Sequence, residues 1–343
     1  MKRRDVLKGL LATAATTVIR VPILAAAAGE PVTRFGVITD VHQDVMPDAV
    51  DRIRAFVAAM KEDKVEFIIQ LGDFCMPKAS NRVFLAAWNT FPGPRYHVIG
   101  NHDIEPPITR EQAAAFLGMP GLHYTFDGEI FLGVVLDGND PGGKSTLYRR
   151  YIGPDQLAWL EKTLMSATKP VILFVHQPID GQENGVENVA EVGAVLARVE
   201  AAKPGSILAA FEGHLHQDYV KTRGVSQIQF VEVNSASYYW LGEAGQSLDY
   251  FPPDVHERYK GLRNVAVYRE PLWAIVEVDR AGGEIRIAGR ESHWIGPSAI
   301  DRLHLPVDTH PEFFIHPSIT SRHFAIRPEI TGRRTSIPFG RPD

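Results

Sequence analysis

Polar residues that can bind metal or move protons follow five apolar segments of the chain. The five groups are Asp40–His42, Asp73, Asn101–Asp103, His176 and His214–His216. One such group arises easily by chance, but five in order along one chain form a specific pattern. Together they offer seven candidate ligands: Asp40, His42, Asp73, Asn101, His176, His214 and His216. Seven ligands are too many for one tetrahedral zinc ion and suit two adjacent metal ions that share a carboxylate.

The cysteine count narrows the kinds of site that the chain can build. Its one cysteine, Cys75, excludes an intramolecular disulfide and a cysteine-based zinc site. The chain has 13 histidines, so any metal must be held by His, Asp and Asn. We expect Cys75 to be a buried, inert thiol rather than a ligand.

A largely parallel, buried sheet would bring these groups together. The runs with strand length and apolar character are Phe35–Thr39, Phe67–Leu71, Tyr96–Ile99, Ile130–Leu136, Val171–Val175 and Ile207–Phe211. Amphipathic stretches predicted as helices lie between them: Asp48–Lys61, Arg82–Phe91, Arg110–Leu117, Pro154–Ser166 and Val186–Lys203. Later runs predict antiparallel strands: Gln227–Val233, Trp273–Val278 and Glu284–Ala288. Ligands bind at the carboxyl ends of strands in such sheets, so the polar groups should converge at one edge.

The order of these groups resembles that of the calcineurin-like metallophosphoesterase superfamily. The resemblance covers about residues 34–220 and implies an α/β fold, a four-layer α/β/β/α sandwich with a dinuclear metal site. It implies two ligand sets bridged by Asp73: Asp40, His42 and His216 for one ion, and Asn101, His176 and His214 for the other. Many members carry Asp or Asn three residues after the bridging Asp, where this chain has Met76. A supporting contact from that position is therefore not expected.

The chemistry predicted for this site is phosphoester hydrolysis. Two metal ions about 3.5–4 Å apart can supply a hydroxide that attacks phosphorus. His102 is not a ligand in the family pattern, and we expect it to protonate the leaving oxygen as a general acid. We expect Asp103 to orient the His102 imidazole. The alternative is that His102 and Asp103 only cap the following loop. The ligand types suit Mn, Fe or Zn, as divalent or trivalent ions.

Substrate specificity is less defined by the sequence. Asn101 and His102 are candidate substrate contacts within the site. The loop Asp180–Asn188 and the aromatic run Tyr238–Trp240 could line a pocket, although Tyr238 could equally pack in the core. A small-molecule monoester, diester or pyrophosphate all remain open as substrates. An exported protein that binds metal without turnover is the alternative from a different functional class.

The two ends of the chain have different composition from the centre. Residues 1–28 combine a basic start with an Ala-rich apolar stretch, and residues 2–8 resemble a twin-arginine signal. We therefore expect recognition by the export machinery and a periplasmic or extracellular location. Arg20 interrupts the apolar stretch and disfavours a permanent membrane span. We expect a metallophosphoesterase domain over residues 29–297 and a C-terminal tail, residues 298–343, packed on it.

The net charge argues against nucleic acid as a partner. The chain has a formal net charge of −5, and a nucleic-acid-binding patch would require a basic surplus. Without residues 1–28, which hold five basic residues and one acidic residue, the net charge is −9. Such a protein repels phosphoesters at long range, so bound metal ions must provide the local attraction.

Overall fold

Two six-stranded sheets form the centre of the protein in the computed structural model, which describes residues 32–223, 228–306 and 311–326. The first sheet has the order β14-β13-β12-β1-β2-β3. Its strands are β1 (Val32–Ile38), β2 (Phe67–Gln70), β3 (Arg95–His97), β12 (Ala274–Asp279), β13 (Glu284–Ala288) and β14 (Arg322–Ala325). β1, β2 and β3 run parallel, whereas β12, β13 and β14 pair antiparallel.

The second sheet has the order β4-β5-β6-β7-β9-β8. Its strands are β4 (Tyr124–Asp127), β5 (Leu132–Val135), β6 (Val171–Phe174), β7 (Ile207–Glu212), β8 (Tyr219–Arg223) and β9 (Ile228–Glu232). β5, β6, β7 and β9 run parallel between antiparallel edge strands. A separate antiparallel pair joins β10 (Tyr238–Trp240) to β11 (Val265–Val267).

Helices cover the outer faces of both sheets. The helices are α1 (Ala49–Glu62), α2 (Arg82–Trp88), α3 (Arg110–Leu117), α4 (Pro154–Ser166), α5 (Val189–Ala202), α6 (Pro253–Arg258) and α7 (Ala299–Leu303). α1 and α2 pack with the first sheet in one apolar cluster, and α4 and α5 pack with the second sheet in another. The predicted four-layer α/β/β/α sandwich is confirmed.

Aromatic rings from both sheets fill the space between them. The Phe35 ring of β1 stacks on Phe67 of β2 with ring centres 4.8 Å apart. The same ring meets Phe174 of β6 and Phe211 of β7 edge-on, at 5.9 and 5.8 Å. Such offset and edge-to-face pairs stabilise a core beyond the apolar area they bury. These contacts fix the two sheets against each other and therefore fix the relative positions of their strand ends.

Local sequence signals set the ends of several helices. Thr109 and Gln112 form a reciprocal capping box at the start of α3, and Gly118 ends it in a left-handed conformation. Pro154 occupies the first turn of α4, where its missing N–H costs nothing. These two helices have the bounds that the sequence predicts.

The C-terminal segment contributes to the sandwich. β14 pairs with β13 in the register Arg322↔Ile287 through Ala325↔Glu284, so residues 322–325 extend the first sheet. The expected domain over residues 29–297 leaves out this strand of the first sheet. The expected C-terminal tail, residues 298–343, therefore includes part of the sandwich. Weak apolar periodicity concealed this strand, because an edge strand needs only one buried face. The predicted signal, residues 1–28, lies outside the described residues. Within them, no helix is both long and apolar enough to cross a bilayer.

Candidate metal centre

The seven predicted ligands follow the carboxyl ends of parallel strands from both sheets. Five of them adopt a left-handed backbone with φ between 49° and 79°: Asp40, His42, Asp73, His214 and His216. This conformation is uncommon for residues other than glycine and costs free energy. So many strained residues at one place indicate that the surrounding fold holds them there for a function.

The first cluster consists of Asp40, His42 and His216. Nε2 of His216 lies 3.1 Å from Oδ1 of Asp40 and 3.2 Å from Nε2 of His42. All three side chains are buried, and one potential ligand atom from each lies within 4.8 Å of the others. Three ligand atoms that converge in this way can share one metal ion.

The second cluster consists of Asp73, His176 and His214, with the same spacing. Oδ2 of Asp73 lies 3.2 Å from Nε2 of His176 in this cluster and 3.7 Å from Nε2 of His42 in the first. This one carboxylate oxygen therefore faces both clusters, as a bridging ligand must. The amide oxygen of Asn101 is buried without a hydrogen-bond partner, and a metal ion would provide one.

Hydrogen bonds to the far side of each ligand set its orientation. Nδ1 of His176 is 2.9 Å from the Leu71 carbonyl, and Nδ1 of His216 is 2.7 Å from the Tyr238 carbonyl. Both rings must donate there, which leaves Nε2 unprotonated for a metal. His214 is turned the other way, because its Nε2 lies 2.8 Å from the hydroxyl of Tyr148. Its Nδ1 is then the nitrogen available to a metal.

The two carboxylates are fixed through one oxygen each. Oδ2 of Asp40 accepts hydrogen bonds from the Thr39 hydroxyl at 2.6 Å and the His214 amide at 3.1 Å. Oδ1 of Asp73 accepts one from the His102 amide at 2.8 Å. Burial raises the pKa of Asp73, but the charges of His176, His102 and His42, together with the hydrogen bond from His176, outweigh it and hold that pKa well below the usual range. Both carboxylates can therefore remain ionised in a buried site.

Close backbone approach at the site requires glycine. A Cβ on Gly100 would lie 2.1 Å from the Asp73 amide nitrogen, so no other residue fits there without moving the bridging carboxylate. Gly72 has a φ of 110°, and a Cβ on it would lie 2.5 Å from Nδ1 of His176. These glycines explain how the strand ends of two sheets come within ligand distance.

These observations fit two metal ions. The two clusters offer imidazole, carboxylate and amide donors, which suit Mn, Fe or Zn. A dinuclear centre explains three observations: the strained backbone of the ligands, the unpartnered Asn101 oxygen and the Asp73 oxygen that faces both clusters.

His102 lies at the mouth of this centre. Its ring centre is 5.3 Å from that of His42, and its side chain is 46% exposed. Its Nδ1 lies 2.5 Å from Oε1 of Glu105. Burial lowers the pKa of His102, but the charges of Asp73 and Glu105 more than offset this and raise it. A protonated, accessible imidazole beside the ligands suits the predicted general acid.

Asp103 does not have the role that the sequence suggested. Its Oδ1 accepts hydrogen bonds from the amides of Phe74 and Cys75, both at 2.8 Å, and its Oδ2 accepts one from Gly100 at 2.9 Å. The carboxylate therefore joins the loop after β2 to the loop after β3, and Glu105 is the partner of the imidazole. Adjacency in sequence was misleading, because consecutive residues on the short turn after Asn101 point in different directions.

Tyr238 lies behind the ligands. It is 1% exposed, and its ring packs 4.9 Å from those of His42 and His216. This position does not fit the substrate contact that the sequence suggested and instead supports the ligand rings. Trp240, on the same face of β10, is 48% exposed.

Tyr148, the loop residue whose hydroxyl contacts His214, was not among the predicted site residues. It belongs to the loop at 141–151, which is held by Glu187: this carboxylate accepts hydrogen bonds from the amides of Lys144 and Ser145 at 2.5 and 2.9 Å. The loop Asp180–Asn188 therefore acts, at least through Glu187, as a support for the Tyr148 loop. Only tertiary structure brings Tyr148 to His214, 66 residues away.

Comparisons with known proteins agree with this geometry. The family model for calcineurin-like phosphoesterases matches residues 33–218, more than half of the chain. The chain is 26% identical over 276 residues to a manganese-dependent ADP-ribose/CDP-alcohol diphosphatase of Arabidopsis thaliana, an alignment that covers 59% of this chain and 86% of the relative. A rice protein of the same name is 26% identical over 266 residues, covering 57% of this chain and 81% of the relative.

A solved structure supports the fold. The dimetal phosphatase from Danio rerio superposes with a TM-score of 0.55 at 17% identity, covering 78% of this chain and 99% of that one. At this identity the likeness concerns the fold alone. The family match and the two ligand clusters together lead to one conclusion: the chain belongs to the calcineurin-like phosphoesterase family and is a metal-dependent phosphoester hydrolase.

Proposed function

We propose that this protein is an exported dinuclear-metal enzyme that hydrolyses a small-molecule phosphoester, with His102 as general acid. The observation that carries the proposal is the meeting of two ligand clusters at Oδ2 of Asp73, with the half-exposed His102 imidazole beside them. A protein that only binds metal has no need for an accessible imidazole in this place.

Each group in the site has a defined task in this reaction. Metal ions held by the two ligand clusters would supply Lewis acidity toward a phosphoryl oxygen and a nucleophilic hydroxide. Asp73 holds the two ligand clusters at a fixed separation and, through its Oδ1, fixes the backbone of His102. His102 donates a proton to the leaving oxygen as the bond to phosphorus breaks.

For the substrate we propose a compound with two linked phosphates, such as ADP-ribose or a CDP-alcohol. The names of the two curated relatives support this choice, although both share only 26% of residues with this chain. The Tyr148 loop also supports it, since Lys144, Arg149 and Arg150 belong to the same loop as Tyr148, whose hydroxyl meets His214. These cations can neutralise a second phosphate outside the metal centre.

For the metal we propose manganese. The relatives' names support it, and the mixed imidazole, carboxylate and amide donor set is compatible with it. Metal analysis of purified protein, followed by chelation and reloading with Mn, Fe or Zn, tests this assignment. Restoration of activity by zinc and not by manganese would overturn it.

We also propose that residues 1–28 direct export by the twin-arginine route. Replacing Arg3 and Arg4 together by Lys should retain the protein in the cytoplasm, while Lys8→Arg, which keeps the charge and the pair, should not. Fractionation of cells that express each variant measures the outcome. Normal export of the double Lys variant would contradict the proposal.

A substrate panel tests the catalytic proposal directly. We expect manganese-loaded protein to hydrolyse ADP-ribose and CDP-choline faster than p-nitrophenyl phosphate or bis-p-nitrophenyl phosphate. Faster turnover of a monoester would agree with phosphoester hydrolysis but would contradict the proposed substrate with two linked phosphates. Protein that binds two metal ions and turns over none of these compounds would instead be the non-catalytic metal-binding protein.

A further inference from the structure

Glu105 forms a contact that the ligand set does not explain. Its Oε1 lies 2.5 Å from Nδ1 of His102, and both side chains are 46% exposed at the mouth of the metal centre. We propose that Glu105 is a positioning residue that accepts the Nδ1 proton of His102 and directs Nε2 toward the leaving oxygen. This inference rests on the proposed function, because it gives the general acid its orientation.

Neither Met76 nor Asp103 supplies a carboxylate to the His102 imidazole. Met76, three residues after Asp73, offers only a weak thioether acceptor. Asp103 is adjacent to His102, yet three backbone amides occupy its two oxygens. The nearby carboxylate that the structure places on the imidazole is that of Glu105.

An exposed imidazole needs such a partner to act efficiently. The ligands His176 and His216 are held by backbone carbonyls in a buried setting, whereas the His102 ring lies half in solvent. The hydrogen bond to Glu105 restricts rotation of the ring and selects the form with a proton on Nδ1. Meanwhile the amide of His102 is fixed on Asp73. Backbone and ring are thus both anchored, from opposite sides.

The proton balance of the step is simple. As the new bond from hydroxide oxygen to phosphorus forms, the bond from phosphorus to the leaving oxygen breaks. The Nε2 proton of imidazolium His102 moves to that oxygen, so the leaving group departs as a phosphate monoester from a diphosphate, or as an alcohol or phenol from a simple ester. His102 becomes neutral and keeps its Nδ1 proton on Glu105. Solvent then returns a proton to Nε2 before the next turnover.

Leaving-group dependence distinguishes positioning from general structural damage. A poor leaving group such as phenol needs protonation, whereas 2,4-dinitrophenol leaves as a stable anion. Glu105→Ala should lower kcat/KM for phenyl phosphate by about tenfold or more and for dinitrophenyl phosphate by less than about threefold. Glu105→Asp should restore part of the loss. Glu62→Ala, an exposed carboxylate at the end of α1, is the matched control and should change neither rate.

Two further measurements separate Glu105 from the rest of the site. In a His102→Ala background, adding Glu105→Ala should change the phenyl phosphate rate less than about twofold, because residues that act as a unit are not additive. In zinc-loaded protein labelled with ¹⁵N, NMR should show a proton on Nδ1 of His102, and Glu105→Ala should shift that tautomer or remove its signal. Melting curves verify that the variants fold. If Glu105→Ala does not fold, Glu105→Met replaces it, because Met keeps the length of the side chain without an oxygen acceptor.

The outcomes separate this inference from the proposed function. If the wild-type enzyme turns over neither these aryl esters nor ADP-ribose, the proposed function fails and this inference fails with it. If the wild type is active but Glu105→Ala slows both esters equally, or slows neither, only the positioning role of Glu105 is overturned. Additive effects of the two substitutions would overturn it as well.

Discussion

At the scale of single residues, the bridging position of Asp73 governs the site. Its Oδ2 faces a histidine of each cluster, while its Oδ1 holds the amide of His102. The ligands could be predicted from the sequence because each follows a strand end. Tyr148 could not, because its contact with His214 depends on how a separate loop folds over the site. Glu105 could not, because the short turn at His102–Ile104 decides which nearby carboxylate meets the imidazole.

Asp73→Asn tests this bridging role with little change in shape. Asn tolerates the left-handed φ of 49° at this position, so the backbone should persist while one charge is lost. We expect metal content to fall below two ions per chain and kcat to fall about 10²-fold or more. Metal analysis and steady-state kinetics measure both. Full occupancy with normal turnover would contradict the role.

His102→Ala separates acid catalysis from metal binding. We expect both metal ions to remain bound, because the His102 side chain is not in either cluster, and phosphoester hydrolysis to fall about 10²-fold or more. Metal content and kcat are measured on the same sample. Asp103→Ala gives the contrast: it should lower stability through the three lost amide contacts rather than act on the leaving group.

Cys75 should be chemically inert in the folded protein. It is 3% exposed, and burial together with the nearby charges of Asp103 and Asp44 raises the pKa of its thiol well above the usual value. Reaction with iodoacetamide at pH 8 should therefore be negligible until denaturant is added. Mass spectrometry measures the modified fraction. Rapid alkylation of native protein would show that the thiol is accessible.

At the scale of elements, most strands and helices of the sandwich could be predicted from apolar runs and caps. α3 and α4 have the predicted bounds, and the parallel strands deviate by a few residues at their ends. β14 could not be predicted, because its four residues include Arg322 and His323 and alternate between partly buried and exposed. Its place in the sheet depends on pairing with β13 and on a distant carboxylate, that of Asp218.

Arg322→Ala tests whether β14 is part of the fold. Arg322 Nη1 lies 2.5 Å from Oδ1 of Asp218, whose side chain is fully buried. Removal of the guanidinium leaves the buried carboxylate with contacts to Thr320 and His316 but without its arginine partner, which costs about 3 kcal/mol of unfolding free energy. Urea unfolding measures this loss, and kcat well below the melting temperature should be unchanged. Wild-type stability in the variant would show that the C-terminal strand contributes little.

At the scale of the whole molecule, the two sheets place buried carboxylates close to a metal centre that must attract anionic phosphoesters. The chain is acidic overall, and further buried carboxylates lie beneath the metal-binding loops, among them Glu232 on β9 beside Glu212 on β7. Burial and the neighbouring Glu212 raise the pKa of Glu232 well above its usual value. The metal centre is thus built over a layer of acid groups, which bound cations would stabilise.

Stability should therefore depend on pH through Glu232. The native state keeps a proton on this carboxyl that the unfolded chain loses above its ordinary pKa, so its contribution to stability falls as pH rises through and above that range. Glu232→Gln removes the dependence while its amide oxygen can still accept the Leu215 amide. Unfolding at pH 5 and pH 8 should show the variant gaining stability relative to wild type at the higher pH. A difference that does not change with pH would contradict this.

The central claim is that two metal ions, shared across Asp73, make this protein a phosphoester hydrolase. The most direct test titrates manganese into chelated protein while hydrolysis of ADP-ribose and of p-nitrophenyl phosphate is followed. We predict that activity with at least one of these substrates rises only as the second equivalent binds and reaches its plateau at two ions per chain. Full activity at one equivalent, or two bound ions without turnover of either substrate, would contradict the account.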